Sequence, residues 1–129
     1  MMKITNRRIV MDANLLGSLT QKKFPIKVSY ALAKNLSKIE KELEIYNIER
    51  QKLIDKYCIK DENGENKIDK DNKLSLDEKY LDDWNKDLNE LLDIEIEIDI
   101  HKFNINDLLN SDCEMTASEL MIIDYMIED

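Results

Sequence analysis

The longest hydrophobic pattern in the chain predicts a long helix. From Leu32 to Tyr57, apolar residues recur at alternating spacings of four and three residues, with Arg50 as the one polar member of the row. The row consists of Leu32, Leu36, Ile39, Leu43, Tyr46, Arg50, Leu53 and Tyr57. Pro25 suits the first turn of a helix, where its missing N–H is not needed. We therefore predict a helix over 25–57, roughly 50 Å long at about 1.5 Å per residue.

A second row of large apolar residues predicts the partner of this helix. It consists of Leu81, Trp84, Leu88 and Leu91, again at helical spacing. Ser75 and Glu78 have the spacing of a capping box, so we predict that the second helix covers 76–92. Because the connection is short, the two rows favour an antiparallel helical hairpin over 25–92.

The two rows also predict how the helices are aligned. Tyr57 should lie near Leu76, and Leu43 near Leu91, if the chain turns back directly after the first helix. Arg50 would then pack its aliphatic stem in the seam and extend its guanidinium to an acidic residue of the second helix. Such a contact is either a side chain reaching solvent or an ion pair that sets the register.

Residues 58–74 interrupt both rows and form the predicted tip of the hairpin. Asn63-Gly64 is a strong turn signal, with Ile59 and Ile68 at similar distances on either side. A small β-hairpin and a mobile tip loop both fit this pattern. The glycine does not stand where a calcium-binding EF-hand loop needs it, so the acidic residues of the tip predict a solvated turn.

A change of period predicts a β-strand over 94–101. These residues alternate strictly between isoleucine and a polar residue, which places four β-branched side chains on one face. Met2–Ile4 is the clearest partner for this strand, so we predict a short two-stranded β element. The alternative is an open edge that recruits another chain.

Two further helices are predicted near the ends of the chain. Thr5-Asn6 offers an N-cap for a helix over about 6–20. Thr116 and Glu119 have capping-box spacing before an apolar run, which predicts a C-terminal helix over 116–128 that is buried almost all round.

Together these elements predict an α+β fold that is mostly α. It is a long antiparallel helical hairpin with a small tip β-hairpin, a two-stranded β element and a C-terminal helix. With 129 residues, the chain is long enough for a single domain over 1–129. Two glycines and one proline are too few for a turn-dense sandwich or barrel.

The charge is strongly asymmetric along the chain. Residues 1–60 contain 13 Lys and Arg against 6 Asp and Glu, a balance of +7, whereas residues 61–129 contain 6 against 22, a balance of −16. Either the basic part folds against the acidic part, or an acidic face is left for a basic partner surface. A net charge of −9 disfavours direct binding to nucleic acid.

The sequence contains no recognisable reaction centre. Its one histidine, His101, falls on the polar face of the predicted strand, and it has no Gly-rich phosphate loop or nucleophile elbow. Cys58 and Cys113 lie far apart, without metal-type spacing. We therefore expect no enzyme activity, no metal and no cofactor. We also expect a cytoplasmic protein without a membrane segment, because no apolar run approaches about 18 residues.

The candidate partner-binding residues are aromatic or acidic. The aromatic ones are core residues or, if the hairpin tip opens, anchors for a partner. The acidic ones lie at the start of the second helix or on the polar face of the strand. The full set is Tyr57, Tyr80, Asp82, Asp83, Trp84, Glu95, Glu97 and Asp99.

Three segments resemble one family of small proteins of unknown function from phages and prophages of low-GC Gram-positive bacteria. They are Leu53–Leu74, with its Lys-Tyr pair and Asp-Glu-Asn-Gly turn, the opening MKITNRRIV and the ending MTASELMIIDYMIED. The order of elements also resembles a prefoldin subunit, although here a strand and a helix follow the hairpin. The resemblance implies no catalytic or binding residue.

Small size, acidity and this resemblance favour a non-enzymatic phage-encoded protein that binds a host or phage protein. The leading hypothesis is inhibition of a host defence protein through a helical or acidic surface. The alternative is a virion-assembly chaperone or minor morphogenesis protein that acts through coiled-coil self-association, which makes a homo-oligomer an expectation.

Overall fold

The computed structural model describes residues 2–60, 62–67 and 76–128 and has the predicted, mostly helical fold with a small β element. In chain order the elements are β1 (Met2–Thr5), α1 (Asn6–Leu19), α2 (Ile26–Tyr57), α3 (Leu81–Leu92), β2 (Glu95–Ile98), α4 (Ile105–Leu109) and α5 (Ala117–Ile123). Short 3-10 turns cover Glu78–Tyr80 and Asp124–Met126.

The chain divides into two compact units, and α2 contributes residues to both. The terminal unit comprises Met1–Leu43 and Glu95–Asp129. The hairpin unit comprises Glu44–Ile94.

The sheet of the terminal unit confirms the predicted pairing of the first residues with the isoleucine-rich strand. β1 and β2 are antiparallel; the paired residues are Met2 with Ile98, Lys3 with Glu97, Ile4 with Ile96 and Thr5 with Glu95. The apolar pairs belong to the core, whereas Glu95 and Glu97 are exposed on the other face. This is the alternation that the period of two predicts.

The core of the terminal unit draws on every one of its elements. Its buried members are Ile4, Ile9, Leu16, Leu19, Val28, Ala31, Leu32, Ile39, Ile98, Phe103, Leu108, Ile122, Ile123 and Met126. A buried aliphatic or aromatic side chain of this size contributes about 1.5–3 kcal/mol of transfer free energy, so this cluster dominates the stability of the unit.

Both predicted helix caps of the terminal unit are confirmed. The Thr5 hydroxyl accepts a hydrogen bond from the Arg8 amide at 3.2 Å and caps α1. Thr116 and Glu119 form a reciprocal capping box at the start of α5. The prediction that the C-terminal helix is buried almost all round is wrong, because Leu120 is 40% and Met121 67% exposed. α5 packs on α1 with one face and turns the other to solvent.

Glu119 of α5 also forms an ion pair with Lys22, in the segment that connects α1 and α2. It is buried, and Lys22 Nζ lies 3.0 Å from its carboxylate and 2.9 Å from the Glu114 carbonyl oxygen. Hydrogen bonds from the Thr116 backbone and then from Lys22 lower the pKa of Glu119 below its ordinary value of 4.5. The carboxylate is therefore stabilised in its charged form.

The segment after β2 is held to the terminal unit by polar contacts at two positions. Asn35 of α2 is fully buried, and its amide donates to the His101 carbonyl at 2.8 Å and accepts from the His101 N–H at 2.7 Å. The Phe103 N–H donates to the Met126 carbonyl at 2.9 Å, and the Glu128 N–H donates to the Phe103 carbonyl at 2.8 Å. β2 therefore ends before the predicted residue 101, because the following backbone pairs elsewhere.

The described part of the tip in the hairpin unit has β-hairpin character. Lys60 bridges to Asn66, and the Lys67 N–H donates to the Ile59 carbonyl at 2.7 Å. Gly64 has a φ of +78°, which suits a tight turn. Residues 61 and 68–75 lie outside the described residues, and with them Ile68 and the predicted capping residue Ser75.

The second helix of the hairpin begins later than predicted. Cys58 and Leu76 form an isolated β-bridge, which confirms the prediction that Tyr57 lies near Leu76. However, α3 starts only at Leu81. Residues 76–80 cross the end of α2 as a bridge and a 3-10 turn. Leu91 lines a groove together with Leu53. Its predicted proximity to Leu43 stays a prediction.

Candidate functional site

Three of the predicted partner-binding residues form an aromatic cluster in the hairpin unit. The Tyr57 ring lies 6.1 Å from the Tyr80 ring and 6.3 Å from the Trp84 ring, edge-to-face with the latter at 84°. Tyr57 is buried, Trp84 is half-buried and Tyr80 is 39% exposed. The cluster therefore serves as core through Tyr57 and still presents two aromatic side chains to solvent.

Asp87 connects this cluster to the charged residues of the unit. The Tyr57 hydroxyl donates to Asp87 Oδ2 at 2.5 Å, and Lys56 Nζ lies 3.9 Å from the same oxygen. The hydrogen bond to Asp87 raises the pKa of Tyr57 above its ordinary value of 10.0. The predicted partner of an acidic residue of α3 is the Arg50 guanidinium. Arg50 is exposed, and Lys56 is the cation beside Asp87.

Asp82 and Asp83 lie in the first turn of α3 with exposed side chains. Negative charge at this end of a helix is stabilised by the helix dipole. Asp83 also faces Lys56, whose pKa is raised first by a hydrogen bond with Tyr57 and further by the charges of Asp87 and Asp83. Asp82 points in another direction, because neighbouring residues on a helix are about 100° apart.

We name the partly exposed stretch at the start of α3 the tip patch; it consists of Tyr80, Leu81, Asp82, Asp83 and Trp84. Leu81 is 42% exposed and adds an aliphatic side chain to the two aromatic ones. The patch thus combines large apolar side chains with two carboxylates on a short stretch of chain. Trp and Tyr are enriched among the residues that dominate binding energy in protein interfaces.

The remaining predicted acidic residues belong to the terminal unit. Glu95 and Glu97 are exposed on the outer face of β2, opposite Thr5 and Lys3 of β1. Asp99 follows the strand and is exposed, and its backbone carbonyl accepts a hydrogen bond from Lys38 at 2.5 Å. Their immediate neighbours are therefore strand partners and α2, and the aromatic cluster lies in the other unit.

A second concave feature of the hairpin unit, which we name the interhelical groove, runs between α2 and α3. Its volume is about 530 Å³. Leu53, Leu91 and Ile94 form its apolar floor. Its charged walls are Glu49, Lys52 and Lys56 on α2, and Asp87 and Glu90 on α3. The matched rows of large apolar residues predicted that these helices meet, but they did not predict an open groove.

The terminal unit has a pocket of about 500 Å³ at the start of α2. The Tyr30 and His101 rings meet there edge-to-face at 5.3 Å. The charged residues that line it have both signs: Lys27, Lys102, Asp107 and Glu128. His101 is exposed, as predicted for a surface histidine, and its backbone rather than its ring makes the contact with Asn35.

Metal-binding groups and membrane-spanning helices are absent from the part of the chain that the structure describes. Over residues 2–60, 62–67 and 76–128, no three His, Cys, Asp or Glu side chains are grouped so that they could hold an ion. Within the same ranges, no helix is both long and apolar enough to cross a membrane.

Comparison with known proteins identifies a family without an assigned role. Over residues 2–129 the chain matches the family described as "Protein of unknown function (DUF1617)", and it belongs to that family. No curated protein and no solved structure matches it. The predicted membership of a family of unknown function is confirmed, while the phage origin and the likeness to prefoldin stay predictions.

Proposed function

We propose that this member of the DUF1617 family is a non-enzymatic, phage- or prophage-encoded protein that binds and inhibits a host defence protein in the bacterial cytoplasm. The observation that carries the proposal is the tip patch. Tyr80 and Leu81 are 39% and 42% exposed, and they directly precede the exposed carboxylates of Asp82 and Asp83. A partner that covers these side chains would remove their apolar surface from water, which favours binding.

The charge of the chain supports a basic partner surface. The net charge is −9, and the exposed residues of α3 and of the 3-10 turn before it include Glu78, Asp82, Asp83 and Glu90. Complementary charge speeds the encounter between two proteins and excludes partners of the same sign. Defence proteins that act on nucleic acid carry Lys and Arg clusters that bind phosphate. An acidic surface presents those clusters with negative charge, as phosphate does.

The tip patch is suited to this role because its aromatic part is held in place before binding. Tyr57 is buried beneath Tyr80 and Trp84, and its hydroxyl is fixed by Asp87. Side chains that are already ordered lose less conformational entropy when a partner covers them. The patch would then contribute affinity through its rings and orientation through its carboxylates.

The experiment is a binding and protection assay with matched charge variants. The double variant Asp82→Lys/Asp83→Lys reverses two charges in the tip patch. Asp112→Lys/Glu114→Lys makes the same change at exposed positions of the terminal unit. In bacteria that carry a defence system, we expect the wild type and the control to restore phage plating and to retain the same host protein in a pull-down.

Loss of both effects in the tip-patch variant alone would support the proposal. A Leu81→Asp variant separates binding from folding, because Leu81 is 42% exposed and its replacement leaves the buried residues untouched. Equal activity of all variants, or no protein retained above background by the wild type, would contradict the proposal.

A second candidate function is a virion-assembly chaperone or morphogenesis protein that self-associates. The interhelical groove favours it, because its apolar floor is open to solvent along two helices. This function predicts co-purification with capsid or tail proteins from infected cells and no effect on phage plating in hosts that carry defence systems.

A further inference from the structure

Two exposed isoleucines of α2 lie beside the interhelical groove. Ile45 and Ile48 are 58% and 53% exposed, and they precede Glu49 and Lys52 of the groove by four residues each. Residues at this spacing share a helix face. Ile94, in the floor of the groove, is 49% exposed. The two isoleucines therefore adjoin the α2 wall of the groove within the hairpin unit.

Two lysines and one glutamate line the groove on α2, whereas the charged residues that line it on α3 are acidic. On α2, the side chains of Lys52 and Lys56 are 67% and 65% exposed. On α3, the wall consists of Glu90 and Asp87. The α2 wall is not purely basic, because Glu49 lies 2.9 Å from Lys52.

We infer that the interhelical groove binds the same groove of a second copy of this chain. A two-fold rotation places α2 of one copy on α3 of the other, so that Lys52 meets Glu90 of the second copy twice. Ile45, Ile48 and Ile94 would be covered by the same contact. Two helical hairpins then form a four-helix arrangement with a shared apolar centre.

The distribution of charge selects this occupant over others. A purely basic helix would be repelled by the lysine wall, and a purely acidic helix by the Asp87 and Glu90 wall. A second copy related by a two-fold axis places its acidic α3 side on the lysines of α2, and its own lysines on the acidic α3 side of the first copy. Ile45, Ile48 and Ile94 would add their exposed apolar area to the contact.

Sedimentation velocity of charge-reversed variants tests the inference. The wild type should sediment as a concentration-dependent dimer. Lys52→Glu and Glu90→Lys should each weaken dimerisation by about tenfold, because each homodimer then contains two like-charge contacts. An equimolar mixture of the two variants should regain the wild-type dimer, since both contacts are again complementary.

An apolar variant with a matched control completes the test. Ile48→Asp should give a monomer at concentrations where the wild type is dimeric. Ile26→Asp replaces another isoleucine of α2, 84% exposed and in the terminal unit, and should leave the dimer unchanged. A monomeric wild type, a mixture that fails to recover, or equal effects of Ile48→Asp and Ile26→Asp would overturn the inference.

The inference is independent of the proposed function. Host-protein capture that is lost in Asp82→Lys/Asp83→Lys but kept in Ile48→Asp would separate the tip patch from the dimer contact. Failure of dimerisation with intact capture would overturn only the inference, and the reverse result would overturn only the proposed function.

Discussion

The two units of this protein bury their apolar residues to very different extents. Among its described residues, 2–43 and 95–128, the terminal unit has fourteen buried hydrophobic residues in one cluster, drawn from both strands and from all its helices. In the described part of the hairpin unit, the buried hydrophobic residues are Tyr46, Ile54, Tyr57 and Cys58. All of α3 is described, and none of its residues is buried.

This difference shows that two helices with matching rows of large apolar residues do not by themselves bury those residues completely. Two helices can cover only one side of each other, so a third element or a partner is needed for the rest. In the terminal unit, β1, β2 and α5 supply that cover. In the hairpin unit, large apolar side chains stay exposed, and both proposals rest on this exposure.

The largest expected effect comes from truncating one leucine in each unit. Leu32 is 1% exposed in the core of the terminal unit, so Leu32→Ala should lower the free energy of unfolding by about 2–5 kcal/mol. Leu91 is half-buried, and Leu91→Ala should cost less than about 2 kcal/mol. Urea unfolding at the lowest workable protein concentration measures both, and equal losses would contradict the contrast between the units.

The buried amide of Asn35 should give the next largest effect. Asn35→Ala leaves the N–H and the carbonyl of His101 without their partner, at roughly 1–3 kcal/mol for each group that stays buried. Asn47→Ala, an exposed position on the same helix in the hairpin unit, should change stability by less than about 0.5 kcal/mol. Urea unfolding measures the free energy of unfolding of both variants. Similar losses of stability in the two variants would contradict the predicted role of Asn35.

Glu119 should make the terminal unit dependent on pH. Its pKa is lower in the folded protein than its ordinary value of 4.5, so its stabilising effect is complete well above pH 4.5 and is lost as the pH falls through the folded-state pKa. Glu119→Gln should therefore be less stable than the wild type at pH 7, and the difference should shrink toward pH 3. Glu40→Gln, at an exposed position, serves as control. A difference that is constant with pH would argue against the Lys22–Glu119 ion pair.

The smallest effects should come from the two glycines, one in each unit, and they should have opposite signs. Gly17 lies inside α1, and a Cβ there would meet no atom within 4 Å, so Gly17→Ala should stabilise the protein by about 0.5–1 kcal/mol. Gly64 has a φ of +78°, and Gly64→Ala should destabilise it by about 1 kcal/mol. Thermal unfolding of both variants checks the signs, and a stabilising Gly64→Ala would contradict the turn geometry.

The elements of this fold follow from local patterns, which is why the sequence predicts most of them. The row from Leu32 to Tyr57 has the period of a helix, and the alternation over 94–101 has the period of a strand. The Thr116 and Glu119 capping box is a contact between residues close in sequence. Such features need no knowledge of distant parts of the chain.

Contacts between distant residues were harder to predict. Asn35 stands in the apolar stripe of α2, which signals a buried polar group, but nothing in the sequence identifies His101 as its partner. The late start of α3 goes with the bridge between Cys58 and Leu76, which is a contact between residues far apart in the sequence. Tyr57, Tyr80 and Trp84 were each predicted as candidate residues, whereas their contact with one another and the link through Asp87 were not.

Hydrogen–deuterium exchange at increasing protein concentration tests most directly whether the hairpin unit depends on a second copy for its cover. The amides of α3 (Leu81–Leu92) should exchange faster than those of α1 and α5 in dilute protein and should gain protection as the concentration rises, while the terminal unit stays unchanged. Ile48→Asp should abolish that gain. If α3 is as protected as the terminal unit at the lowest concentration, or gains nothing as the concentration rises, the account is contradicted.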